Sequence, residues 1–313
     1  LGTDAYTLSG TTRPEDLQLQ MQALTAYLVD PGLRAAPFEQ TRSQFPAQLA
    51  QGRATPGGVL GQNLGELLAS GDKRDATPTV EEVAAMTIEE VRAGVTEGRA
   101  RGPIDIVMVG DVTVEDAIAT VSNTFGALPE RGPLPQPPAA SAVRRFPAPT
   151  TEPVQLKHDG PGEQAIGLIG WPTTDAIGDR LEARQLSILN AVIQLRLNEE
   201  VREKLGIAYS PGSAANSSTV FPDYGFQIML AETRPETLPT LFGAFDSIAA
   251  SLRDTPITDD ELLRARAPVV ESVRRSQADN GYWITQLADA GRTPETFDEI
   301  RSHVADLESA TPA

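Results

Sequence analysis

An α+β fold made of two tandem, homologous domains is predicted by three observations. The C-terminal half runs strands, one long helix, strands, then helices, an order that layers helices on one face of an antiparallel-rich sheet. Thr12-Arg-Pro-Glu-Asp-Leu17 recurs as Thr233-Arg-Pro-Glu-Thr-Leu238, an offset of 221 residues (233 − 12). Between the copies lies a Pro-rich stretch from Leu128 to Pro149, a composition that stays extended. These signals divide the chain into a first domain over 1–135, a linker over 136–150 and a second domain over 151–313.

In the first domain, Ala5-Tyr-Thr-Leu8 reads as a strand end. Thr12 with Glu15 forms a capping-box pattern, followed by an amphipathic helix over 18–28. Asp30-Pro31-Gly32 makes a turn, and a second helix is expected over 37–51. Gly52, Gly57, Gly58, Gly61 and Gly65 cluster in one segment. No strand precedes them and no Lys-Ser/Thr follows, so a close-packed loop is expected instead of a phosphate cradle. Thr79 with Glu82 and Thr87 with Glu90 repeat the capping pattern, and Val83, Met86, Val91 and Val95 supply apolar faces. Pro103-Ile-Asp-Ile-Val-Met-Val-Gly110 reads as a compact strand, and a helix over 114–125 closes the domain.

The second domain opens with strands over 154–158 and 164–171, the latter largely apolar as for a central strand. A helix over 177–204 crosses back, and strands over 209–214 and 224–231 follow, with turns at Asn216-Ser-Ser218 and Pro222-Asp223. Helices are expected over 239–252 and, capped by Thr258 with Glu261, over 258–277. After each copy of the repeat come helix, Pro-containing turn, helix, shorter helices and a Thr-Pro pair, Thr77-Pro78 and Thr293-Pro294. The first copy lacks the front section found at 153–231, and the second lacks a counterpart of 103–110. The expectation is a natural polypeptide that extends in both directions.

A chain of 313 residues with 40% apolar residues can bury a substantial core. Its net charge of −17 opposes nucleic acid or an anionic membrane as partner. No apolar run reaches the roughly 18 residues needed to span a bilayer. With no cysteine there is no disulfide framework and no thiol catalysis, and neither a periplasmic nor a cytoplasmic location is singled out.

The most informative stretch is Leu197-Asn-Glu-Glu-Val-Arg-Glu-Lys-Leu-Gly-Ile-Ala-Tyr209. Leu197, Val201 and Leu205 recur every four residues on one helix face. Gly206 fits the left-handed position that ends a helix, and Ile207 and Tyr209 alternate with Ala208 as a strand begins. Arg202 and Tyr209 then flank one helix-to-strand corner, where a guanidinium and a phenol can serve a single extended ligand. Taken on spacing alone, a solvated Arg and a half-buried Tyr are the commoner outcome.

The run Arg202-Glu-Lys-Leu-Gly-Ile-Ala-Tyr209 resembles the R-E-x-x-G-x-x-Y element of the pitrilysin/insulysin family of zinc metallopeptidases, the inverzincins. Val109-Gly110-Asp111 resembles that family's strand before the inter-domain connection, and Asn280-Gly-Tyr-Trp283 its N-x-x-W helix in longer bacterial members. The resemblance maps the first domain onto the later part of the family's third domain and the second onto most of its fourth. It implies a C-terminal, non-catalytic half that closes a chamber over a peptide substrate. Arg202 and Tyr209 are then the substrate-binding residues. Zinc and the catalytic glutamate belong to an N-terminal half, in the same chain or a partner subunit.

Catalysis by the present residues is disfavoured. A zinc site needs about three clustered ligands, and His158 and His303 are the only histidines, 145 residues apart (303 − 158). Neither an H-x-x-E-H motif nor a G-x-S-x-G elbow occurs. The expectation is therefore no catalytic residue and no metal ligand within these 313 residues. Two alternatives stay open: a zinc-free homologue acting as a structural or binding subunit, and an unrelated α+β binding module that shares only the corner.

Overall fold

The computed structural model describes residues 4–134, 136, 138–288, 290–291, 293 and 295–312. In chain order its helices begin with α1 (Leu17–Val29), α2 (Ala35–Arg53), α3 (Pro56–Leu68), α4 (Val80–Ala85), α5 (Ile88–Arg99) and α6 (Val114–Ser122). Strand β1 (Ala165–Thr173) leads to α7 (Arg180–Leu197), then β2 (Gly212–Ser217) and β3 (Gly225–Thr233). The chain ends with α8 (Leu238–Asp254), α9 (Asp259–Ser276), α10 (Asn280–Leu287) and α11 (Thr296–Glu308). Two compact units share these elements: Leu1–Gln44, Val80–Pro137 and Ser276–Arg301 form one, and Phe45–Thr79, Pro138–Arg275 and Ser302–Ala313 the other.

The second unit holds the sheet, in order β1-β3-β2 with both pairings antiparallel. The apolar run expected as a central strand is therefore an edge strand, and β3 takes the centre, because only β3 has a partner on each side. Its register sets Leu168 opposite Leu230 and Ala214 opposite Ile228. Helices cover the odd-numbered face, where Ile169, Trp171, Met229 and Ala231 meet Ile193, Leu197, Val201, Leu241 and Phe245. The expected α+β layering of helices on one face of an antiparallel sheet is thus present. A second cluster packs Ile188 of α7 with Leu262 and Val270 of α9 and Leu307 of α11.

The first unit is helical among its described residues. Of the buried apolar side chains, only Met21 belongs to it. Buried Arg99 donates to the Tyr27 carbonyl at 2.6 Å and so satisfies the end of α1. Thr87 and Glu90 make the expected capping box of α5. Thr12 does not cap α1: Pro14–Asp16 form a 3-10 turn first, with Arg13 at its N-terminal boundary making no side-chain capping bond and pairing with Asp16 at 2.6 Å instead.

The two copies of the repeat fold alike locally. Pro14–Asp16 and Pro235–Thr237 are both 3-10 turns leading into α1 and α8, 221 residues apart (235 − 14). The next helices, α2 and α9, each contain an internal proline, Pro46 and Pro268, 222 apart (268 − 46). The Pro294 of the expected Thr-Pro pair lies outside the described residues.

Several expected strands are absent. Residues 5–8 and 103–110 carry no ladder pairing. In the second unit, β3 is stabilised by partners on both sides, whereas the described residues of the first unit contain no neighbouring strand to supply them. Residues 154–158 likewise run unpaired. The glycine segment is a helix, not a loop: Thr55 caps α3 and Pro56 opens it. The close-packing part of that expectation holds, since a Cβ on Gly58 would stand 2.0 Å from the Gly52 carbonyl oxygen.

The Pro-rich stretch, of which Pro135 and Pro137 lie outside the described residues, is anchored beyond residue 138. Arg74 donates to the carbonyls of Ser141 at 2.6 Å and Val143 at 2.9 Å. Arg144 pairs with Asp75 and stacks over Phe221 at 4.6 Å.

Candidate functional site

The corner is built by a change in helix type. After Leu197, α7 continues as a π-helix over Asn198–Lys204, closed by the Leu205 N–H donating to Glu200 at 3.0 Å. Leu197 and Val201 are wholly buried and lock this segment to the core, as their spacing predicts. Leu205 departs from that prediction at 39% exposed, because it sits past the last helical turn. Gly206 has φ +63°, the left-handed value expected of a helix-ending glycine. The Ile207 N–H donates back to the Val201 carbonyl at 3.3 Å.

Arg202 is exposed on the outer face of the π-helix, and its guanidinium reaches Glu203 at 3.3 Å. That pair is open to water and holds the side chain only weakly. Tyr209 is 89% exposed. It does not lie in a strand, as the alternation suggested, because β2 starts only at Gly212. The expected alternation is not kept: Ala208 and Pro211 are buried with Tyr209 and Ser210 both outward between them, and Ile207 packs against the core.

Polar side chains fix both feet of this loop. Thr233 of β3 donates to the Ile207 carbonyl at 2.7 Å. Gln194 of α7 donates from Nε2 to the Pro211 carbonyl at 3.0 Å and accepts the Ser213 N–H at Oε1, also at 3.0 Å. Ser213 donates from Oγ to the Asn190 carbonyl at 3.1 Å, and Gln227 Nε2 donates to Asn190 Oδ1 at 3.0 Å. Sequence reasoning missed these residues. Their signal was the amide side chains Asn190, Gln194 and Asn198 at every fourth position of a mostly apolar helix.

Asp175 was also missed. Its carboxylate accepts the N–H groups of Ile177 at 2.7 Å, Gly178 at 2.8 Å and Asp223 at 2.6 Å, tying the loop after β1 to the β2–β3 turn. The Gly178 and Asp223 amides hold it below the usual carboxylate range.

Neither histidine fits a zinc site. His158 Nε2 faces the Gln164 carbonyl at 2.9 Å and Nδ1 accepts the Gly160 N–H at 3.2 Å. His303 Nδ1 is buried without a hydrogen-bond partner, in surroundings that include the cationic Arg184. Among the described residues, no group of three or more His, Cys, Asp or Glu side chains is placed to hold a metal ion. No helix among them is long and apolar enough to cross a membrane. A cavity of about 400 Å³ in the first unit is lined by Pro103, Ile104, Phe125, Leu128 and Arg131. Arg131 is committed there to the backbone carbonyls of Arg99, Gly102 and Arg101.

Residues 101–269 match the model of the peptidase M16 inactive domain, 169 positions (269 − 101 + 1) and more than half of the chain. An uncharacterised zinc protease of Mycobacterium leprae is 25% identical over 232 residues, covering 73% of this chain and 49% of that protein. The chain therefore spans about half the length of this curated relative. A solved peptidase M16 inactive domain from Pseudomonas fluorescens superimposes with a TM-score of 0.72 at 21% identity, covering 93% of this chain and 68% of that one. Pitrilysin gives a TM-score of 0.60 at 15% identity, covering 96% of this chain and 31% of that one. At such identities the two structures establish the fold.

Proposed function

The chain belongs to the peptidase M16 inactive domain family, and from that premise we propose that it is the non-catalytic half of a zinc metalloendopeptidase. On this reading it closes a chamber over a peptide substrate, while hydrolysis belongs to an N-terminal half outside these residues, in the same polypeptide or a partner subunit. The observation that carries the reading is the corner: a guanidinium and a phenol, Arg202 and Tyr209, both exposed on backbone that is immobilised beneath them. An 89% exposed tyrosine contributes little to the core, so its conformation is available for a ligand.

Arg202 donates to a backbone carbonyl of the extended peptide and fixes its register. The Tyr209 hydroxyl donates to the oxygen of the carbonyl under attack, where negative charge develops. Orientation and charge stabilisation by preorganised donors are their contribution. Among the described residues no side-chain group is placed to hold a metal ion, and no step of bond cleavage is assigned to them.

The test is Tyr209→Phe in the full-length polypeptide, assayed for peptide hydrolysis beside thermal unfolding. Loss of one such donor lowers kcat about 100-fold, with the unfolding midpoint unmoved, since the hydroxyl is in water. Unchanged turnover removes Tyr209 from the site. Zinc analysis of the same full-length protein separates the alternative of a zinc-free structural or binding subunit, which would carry no bound zinc and no activity in any variant.

A further inference from the structure

We propose that Gln194 is a positioning residue for the substrate, acting through Tyr209; the inference rests on the function proposed above. Between the buried Ala208 and the buried Pro211, only Tyr209 and Ser210 point into solvent. Where the phenol stands is therefore set by the two feet of a very short loop. One foot is the Ile207 carbonyl, held by Thr233 at 2.7 Å. The other is the backbone on either side of Gly212, and both of its polar groups end on one carboxamide. Gln194 Nε2 donates to the Pro211 carbonyl and Oε1 accepts the Ser213 N–H.

The chemistry selects this side chain. The foot presents one acceptor and one donor, so its partner must offer a donor and an acceptor in one rigid plane, which an amide does. A carboxylate offers acceptors only and would repel the Pro211 carbonyl. A hydrocarbon offers neither. The amide is itself braced, since Nε2 lies 3.3 Å from Asn198 Oδ1 and Oε1 lies 3.4 Å from Ser213 Oγ. Gln194 and the π-helical segment that carries Arg202 are consecutive parts of one helix. The same residue thus ties the loop bearing the phenol to the helix bearing the guanidinium, which keeps the spacing of two substrate contacts constant. Misplacement of a reacting group by a fraction of a bond length is costly even when folding is intact.

The experiment uses the full-length polypeptide and four proteins: unaltered, Gln194→Met, Tyr209→Phe, and the double variant. Met conserves volume and helix preference while removing both hydrogen bonds. The expected results are faster hydrogen exchange of the Ser213 amide in Gln194→Met and a kcat about tenfold lower, the scale of a small displacement of a catalytic contact. The double variant should be no slower than Tyr209→Phe alone, because Gln194 acts only through the hydroxyl already removed. Multiplying losses in the double variant, or unchanged Ser213 exchange in Gln194→Met, overturns the proposal while leaving Tyr209 in the site. Unchanged turnover of Tyr209→Phe overturns the functional reading itself and this inference with it, a distinct outcome. Gln194→Glu gives a further check: it retains the acceptor for Ser213 but loses the donor, and rescue of kcat by Glu would contradict the need for an amide.

Discussion

His303 shows how a single side chain carries a pH dependence that its surroundings decide. It is half-buried on α11, and burial pushes its pKa below the ordinary 6.5. The charge of Arg184, and more weakly that of Arg180, acts in the same direction, while Asp306 opposes it. The unfolded chain then binds a proton that the native state refuses, so stability falls as pH drops from 6.5 towards the lowered native value. Urea unfolding between pH 7 and 5 should show this loss, and His303→Gln should flatten the slope. An identical slope in the variant would place the titration elsewhere. At the same scale, Gly206 was legible because only a residue tolerant of positive φ ends a helix that way, and the structure gives φ +63°. Tyr209 was half legible. Its place beside the helix-ending glycine was legible, but the expected strand alternation was not kept, and its nearly complete exposure depends on where β2 begins.

Among the elements, α7 organises the second unit, and one ion pair fastens it to its neighbours. Arg196 grips Glu261 of α9 with two bonds of 2.6 and 2.9 Å, and its third nitrogen donates to Ser251 of α8 at 2.6 Å. Both partners are largely shielded, at 19% and 14% side-chain exposure, so the pair is worth more than a solvated one. Hydrogen bonding to Arg196 holds Glu261 below its usual range. Its stabilisation is present above the ordinary carboxylate pKa and is lost as acid protonates the native state. Glu261→Gln should cost about 2 kcal/mol in chemical denaturation at pH 7; a loss below about 0.5 kcal/mol would reduce the pair to a surface contact. Thr258 with Glu261 was expected as a capping box. Thr258 does accept the Glu261 N–H at 3.2 Å, but the glutamate side chain turns to Arg196. A local motif yielded to a tertiary partner 65 residues away (261 − 196), a competition that sequence spacing cannot register.

For the whole molecule, charge is the property that requires no coordinates. A net −17 with an isoelectric point near 4.6 keeps the chain dispersed at neutral pH and removes that repulsion in acid. Solubility should pass through its minimum close to pH 4.6 in a turbidity titration, and the protein should not be retained on a polyanion matrix at neutral pH. Retention there would reveal a concentrated basic patch. The sequence by itself determined this charge balance, the order of the principal helices, the existence of the apolar strand at 165–173 though not its place at the sheet edge, the repeated turn-and-helix at an offset of 221 (233 − 12), and the corner that carries Arg202 and Tyr209. These are local: each follows from periodicity, capping chemistry or a residue-specific backbone preference within a few neighbours. Only the tertiary structure decided which apolar runs become strands. Residues 165–173 and 103–110 are similarly apolar, yet the first has β3 to bond with and the second runs unpaired. It also decided that Gln194, an unremarkable amide in a helix, bridges two backbone groups 17 and 19 residues further along the chain. Strands and buried amides draw their stability from partners distant in sequence, and a linear pattern does not specify those partners.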